Sequence, residues 1–151
     1  MRIALLGFGQ IGGSIALALE RRRPDWTLAG WSPSGDGPGR AAAEGVLERS
    51  AASLADAVGD ANIVVLAAPP LASIDLLDQL AATALPSGAI VTDVCSTKRR
   101  IVDRAASLGL PFVGGHPMAG REASGYASAD ADLFVDRPWV ICPDGDVGAA
   151  T

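Results

Sequence analysis

The chain has little from which to build a metal centre or a covalent scaffold. Its 151 residues include 2 cysteines and 1 histidine. Cys95 and Cys142 are too few for a disulfide framework or a zinc site, and a single imidazole excludes a histidine-rich metal site. No metal is expected, and both cysteines read as small apolar residues in a reducing cytoplasm. Aromatics are scarce, at 3 Trp, 3 Phe and 1 Tyr, which argues against a base-stacking platform. Positive charge is in deficit: the net charge is −5 and the pI about 4.7. A basic surface for non-specific nucleic-acid binding is therefore absent. The cations are 11 Arg and a single Lys, a bias we read as compositional. No apolar run approaches the roughly 18 residues of a membrane span. Met1 leads straight into strand-like sequence, so neither a signal peptide nor a membrane partner is expected.

What is present suits one ordinary domain with a substantial core, since 49% of residues are hydrophobic and 19% charged. Residues 2–6 form a short apolar run that reads as a buried strand. Ile11, Ile15 and Leu19 then recur every four residues, predicting a helix over 11–22 that Arg21, Arg22 and Arg23 close at its negative end. The three arginines are either a solvated helix end or an anion site. A second strand follows over 26–31. Residues 32–40, rich in Gly, Pro and Ser, read as loop, and 40–45 as a short helix. Continuous apolar sequence over 63–68, stopped by Pro69 and Pro70, reads as a strand buried on both faces. A helix over 71–84, a strand over 89–93, a helix over 97–108 and strands over 110–114 and 139–142 complete the pattern. Strands alternating with helices predict an α/β fold, a doubly wound and mainly parallel sheet of the Rossmann type.

The first strand runs into Gly7-Phe8-Gly9-Gln10-Ile11-Gly12, a complete G-x-G-x-x-G that opens the first helix. The motif alone is common; its place between strand and helix is what the mechanism demands. Gly7 permits the tight turn, Gly9 lets a pyrophosphate approach the backbone, and Gly12 lets helix pack on strand. Ala68 and Pro69, at the end of another buried strand, are further candidates to line the cofactor. The carboxylate that usually holds the ribose 2′-OH is missing at the end of the second strand, where Ser32, Pro33 and Ser34 stand. Without that acid, the hydroxyls of Ser32 and Ser34, together with Arg40, suit a 2′-phosphate. The reading leans to NADP over NAD.

A second constellation lies downstream. Asp93-Val94-Cys95-Ser96-Thr97-Lys98 closes one strand and opens a helix. Gly114-Gly115-His116-Pro117-Met118-Ala119-Gly120 follows another strand, with Glu122 and Gly125 soon after. Both segments fall at carboxyl ends of strands, where α/β sheets bind ligands. An imidazole there suits acid–base work because its pKa lies near working pH. With these runs, the sequence resembles the prephenate/arogenate dehydrogenase family. Residues 7–14, 93–98 and 114–125 carry the resemblance, and Leu133-Phe134 and residues 139–143 extend it over essentially the whole chain.

The resemblance implies an NAD(P)-dependent oxidative decarboxylation of prephenate or arogenate in tyrosine biosynthesis. It implies that His116 is catalytic, bonding the ring hydroxyl and helping remove its proton, and that Ser96 lies near both. Ser96 also reads as a helix N-cap. Glu122 either helps close the substrate pocket or is a solvated acid. Lys98, Arg99 and Arg100, in a helix first turn where cations are disfavoured, either face ligand anions or are exposed. Family members continue into a helical domain that supplies dimer contacts and a substrate-binding arginine. The chain is therefore expected to be a truncated piece, a homodimer only with that domain, and nearly inactive alone. A nucleotide-binding module without turnover, or another small-acid dehydrogenase sharing the glycine loop, are the competing readings.

Overall fold

The computed structural model describes residues 1–120 and 122–142. In chain order its elements are β1 (Arg2–Leu6), α1 (Gln10–Arg22), β2 (Thr27–Trp31), α2 (Asp36–Ala43), β3 (Arg49–Ser50) and α3 (Leu54–Val58). They continue with β4 (Ile63–Leu66), α4 (Pro70–Ala81), β5 (Ile90–Asp93), α5 (Arg99–Ser107), β6 (Phe112–Pro117), a 3-10 turn (Tyr126–Ser128) and β7 (Trp139–Cys142). The strands form one sheet in the order β3-β2-β1-β4-β5-β6-β7. Every pairing is parallel except β6 with β7. The first six strands have the doubly wound dinucleotide-binding order, which reverses direction between β1 and β4.

Alternation along the central strands fills two separate cores. Ala4 and Leu6 of β1, with Val64, Leu66 and Val91, pack on α3, α4 and α5 through Leu54, Leu76, Leu77, Leu80 and Ile101. Ile3 and Leu5, with Val65 and Leu28, face the other way onto Ile15 and Ala16 of α1 and Ala41 of α2. Both faces of the sheet are thus covered, which is why its strands read as continuous apolar runs. No helix among the described residues is long and apolar enough to cross a membrane.

Several boundaries depart from expectation, each for a local reason. The loop expected over 32–40 ends early, because α2 begins at Asp36. Gly35 makes the turn at φ 73°, and the Ser34 Oγ accepts the Asp36 N–H at 3.3 Å. Asp36 suits the positive helix end and Pro38 is tolerated in a first turn, so the Gly and Pro content belongs to the helix start. The short elements β3 and α3 have too little periodicity to be read; Ser53 caps α3 by accepting the Asp56 N–H at 3.0 Å, and Asp56 accepts the Ala52 N–H at 2.9 Å. Helix α5 starts at Arg99 with Lys98 at its N-cap position, so Ser96 is not the cap. Strand β6 runs on to Pro117 because β7 pairs with it from Gly114 to Pro117. His116 consequently sits within a strand and not after one.

The triple arginine is an exposed helix end whose three side chains are paired within the chain. Arg21 and Arg22 grip the Asp132 carboxylate at 3.1 and 3.0 Å, and Arg22 also donates to the Ala131 carbonyl. Arg23 pairs with Asp25 and lies 4.2 Å from the Trp26 ring. Helix α1 therefore ties down the segment that returns from β6.

Strand β5 pairs with β6 at two positions only, Val91 with Phe112 and Thr92 with Val113. Beyond them a side chain takes over. The fully buried Asp93 carboxylate accepts the N–H groups of Cys95 at 3.0 Å and Gly115 at 3.1 Å. Lys98 completes the clamp by pairing with that carboxylate and donating to the Gly115 carbonyl at 2.6 Å. Lys98 was expected either at a ligand anion or in solvent; it faces Asp93 instead. Arg99 and Arg100 are exposed. Removing one partner of a buried pair leaves an uncompensated charge, at a cost of about 3–5 kcal/mol. Lys98→Ala should therefore lower unfolding free energy by about 3 kcal/mol, read as a reduced urea midpoint. An unchanged midpoint would remove the clamp from the account of stability.

Candidate functional site

The switch point between β1 and β4 opens into a cavity of about 760 Å³. Its floor is the glycine turn: Gly7, Phe8 and Gly9 line it, opposite Ala68 and Pro69 at the end of β4. The three glycines divide their work physically. Gly7 has φ 96°, and a Cβ there would stand 2.6 Å from the Ala67 carbonyl oxygen. A Cβ on Gly12 would meet the Gly7 oxygen at 2.3 Å, so that glycine sets the helix-to-strand approach. Gly9 has open space around its Cβ position, which is what close approach by a diphosphate needs. No side chain caps α1, and no acid stands in its first turn. Its positive end is thus left to an anion. Gln10, Ile11 and Gly12 begin the helix behind the turn and do not line the cavity.

The far wall carries Ser32, Ser34, Asp36 and Arg40. Asp36, expected within the 32–40 loop, is the first residue of α2 and stands in this wall. Arg40 donates to Glu44 at 2.8 Å. That bond, with a second from the Tyr126 hydroxyl at 2.8 Å, holds the Glu44 carboxyl below its ordinary value. Burial and the bond to Glu44 push the Tyr126 hydroxyl up to about 12. It stays a phenol at any working pH. Tyr126 lines the cavity and packs on Phe8 with ring centroids 5.4 Å apart. Sequence reasoning missed it. The available signal was Gly13, a glycine inside a helix, whose Cβ would stand 2.7 Å from the Tyr126 ring.

His116 lies elsewhere, half-buried on β6, in the wall of a second cavity of about 540 Å³. The two cavities share no wall residue. The His116 Nδ1 lies 3.3 Å from the Val94 carbonyl oxygen. A carbonyl can only accept, so Nδ1 carries the proton and Nε2 is left able to take one. This bond sets His116 against the segment that carries Ser96. Ser96 itself is exposed, lines neither cavity, and has no hydrogen bond to His116 among the described residues. Glu122 is likewise exposed and outside both walls. Cys95 is buried, with its thiol 3.4 Å from the Ser73 hydroxyl and from the Ala68 carbonyl. Burial pushes that thiol upward, which keeps it protonated and unreactive. Among the described residues no cluster could hold a metal ion.

A parallel sheet in this order, with an uncapped glycine turn at its switch point, defines a dinucleotide-binding α/β domain. The family model for the prephenate dehydrogenase nucleotide-binding domain matches residues 15–151, and the chain belongs to that family. It is 38% identical over 145 residues to the prephenate dehydrogenase of Bacillus subtilis, covering 93% of this chain and 39% of that protein. Among solved structures, Synechocystis arogenate dehydrogenase superposes with a TM-score of 0.86 at 35% identity. Prephenate dehydrogenase from Aquifex aeolicus, in complex with hydroxyphenyl propionate and NAD+, superposes with a TM-score of 0.87 at 26% identity. Each comparison covers 96% of this chain and 51% of the other. The chain thus spans about half the length of these relatives or less.

The open space at Gly9 generates a direct test. Gly9→Val should leave the unfolding midpoint almost unchanged and abolish dinucleotide binding by calorimetry. Equal affinity in the variant would exclude this turn as the site.

Proposed function

We propose that this domain binds NAD(P) and serves an oxidoreductase that decarboxylates prephenate or arogenate oxidatively, forming the aromatic ring of a tyrosine precursor or of tyrosine. The observation that carries the proposal is His116 on β6, its Nδ1 held against the Val94 carbonyl and its Nε2 without a hydrogen-bond partner among the described residues, in a domain of this family.

When bound, the cofactor supplies a hydride acceptor at its nicotinamide ring. The chain's own groups do the rest. His116 Nε2 accepts a hydrogen bond from the ring hydroxyl and takes its proton as the carbon beneath loses hydride. The ring carboxylate then leaves as CO2, and its bonding pair enters the ring. The resulting phenolate takes the proton back from His116, so no net proton is consumed. Aromatisation makes the sequence irreversible. Ser96, two residues beyond the Val94 carbonyl that meets His116, is assigned to the same hydroxyl. The dimer and a second, cationic clamp for the substrate are assigned to a further helical domain, as the family resemblance implies.

For the cofactor we favour NADP. Ser32, Ser34 and Arg40 in the cavity wall support a 2′-phosphate, whereas Asp36 in the same wall repels one. Titration of both cofactors should find NADP tighter, and Asp36→Asn should widen the gap. A tenfold preference for NAD, about 1.4 kcal/mol, reverses the assignment.

Catalysis is tested in the protein extended by its helical domain. There His116→Asn should keep cofactor affinity and lower turnover by roughly 100-fold or more, the usual worth of a general base, followed as cofactor reduction at about 340 nm. Unimpaired turnover in that variant would remove the mechanism. This 151-residue chain alone should turn over almost nothing, because orientation of a multiply charged substrate can contribute several kcal/mol. Robust turnover by it would show the clamp to be dispensable.

A further inference from the structure

The cavity beside His116 has a composition of its own. Its walls are apolar at Leu133, Met118 and Val135, and the last two are 52% and 45% exposed. Two charged residues join them, Asp132 and Arg137. The Asp132 carboxylate is already engaged by Arg21 and Arg22. Arg137 has no ion pair or side-chain hydrogen bond among the described residues. The cavity therefore presents, in a wall that is mainly polar, the imidazole, a few apolar side chains and a guanidinium with no partner among the described residues.

The backbone that carries Arg137 is held on both sides. Its N–H donates to the Phe134 carbonyl at 3.2 Å, and Pro138 accepts the Met118 N–H at 2.9 Å. Phe134 and Trp139, before and after it in the chain, pack their rings together with centroids 5.4 Å apart. Asp136, immediately before it, adopts φ 55°, the left-handed region that non-glycine residues rarely enter. Such a conformation persists only where surrounding contacts enforce it, and here it turns the chain from the 3-10 segment into β7. Arg137 is exposed at the cavity's edge, on a held backbone and with no partner among the described residues, so its guanidinium is available to an anion.

We infer that Arg137 is a carboxylate anchor for the substrate, supplied by this domain itself. The inference rests on the reading of His116 above and names a determinant within it. A ligand with a hydroxylated six-membered ring and a carboxylate matches the cavity: hydroxyl to His116, ring against Met118 and Val135, carboxylate to Arg137. Guanidinium pairs with carboxylate through two parallel bonds, which orients the ring as well as holding it. The site selects for an anion, because a neutral amide cannot make that pairing.

The sole histidine of the chain makes the test direct. With cofactor present, 3-(4-hydroxyphenyl)propionate and its neutral amide are titrated while the His116 ring signals are followed by NMR. The carboxylate should bind about tenfold tighter than the amide, the scale of a charge-assisted bond. Arg137→Gln should erase that difference by weakening the carboxylate alone, and Arg137→Lys should restore part of it. Cofactor affinity should be the same in all three proteins, which separates anchoring from misfolding. Equal carboxylate affinity in wild type and Arg137→Gln overturns the anchor while leaving His116 as the ring site. If neither compound moves the His116 signals in wild type, the ring site is overturned, and the anchor with it.

Discussion

A buried carboxylate must be given partners, and in this fold the partners of Asp93 determine where the reactive half of the domain goes. Two ladder positions are all that join β5 to β6 by backbone. The next link is the Asp93 side chain, bridging the Cys95 and Gly115 amides, with Lys98 supplying the countercharge and a bond to the Gly115 carbonyl. Both backbone groups of Gly115 are thereby fixed, and the next residue is His116. A side chain at position 115 has no room, since a Cβ would lie 2.8 Å from the Asp93 carbonyl oxygen. One ion pair thus ties the end of β5 to β6 at the residue before the imidazole. Such a pair is a weak source of net stability but a strong source of geometry.

The cofactor half follows a different logic, in which absence of side chains does the positioning. Gly7 and Gly12 bring β1 and α1 into contact, and Gly13 makes room for Tyr126. Tyr126 in turn reaches Glu44 on the far side of the cleft. The segment that returns from β6 is held at Tyr126, by the Ser14 hydroxyl at Asp130, and by Arg21 and Arg22 at Asp132. Helix α1 therefore supports the cofactor turn at one end and the wall of the His116 cavity at the other.

The architecture was largely legible because its signals are local. Apolar runs of four to six residues alternating with four-residue periodicity can be read without knowing what packs on them, and the glycine turn declares itself by its place between strand and helix. The elements that escaped are those decided by distant partners. His116 was read as following its strand because nothing in residues 110–117 announces that β7 will pair there. Lys98 looked misplaced in a helix start because its partner, five residues earlier, is identifiable only once Asp93 is known to be buried. Asp36 was assigned to a loop because glycine and proline were read as breakers, when here they form a first turn. Tyr126 and Arg137 belong to no motif, and both gain meaning only from the cavities they line.

One consequence follows from the composition of the clamp. Lys98 is the single lysine of the chain, and its side chain is only 18% exposed where it meets Asp93. Every other side-chain amine chemistry has been removed by the preference for arginine. Within these 151 residues an acylating reagent therefore finds one side-chain amine, a guarded one that reacts at the rate of free lysine only when β5 and β6 part. The ratio of its rate to that of free lysine is a readout, written into the covalent structure, of how often the domain opens at the strand that carries its imidazole.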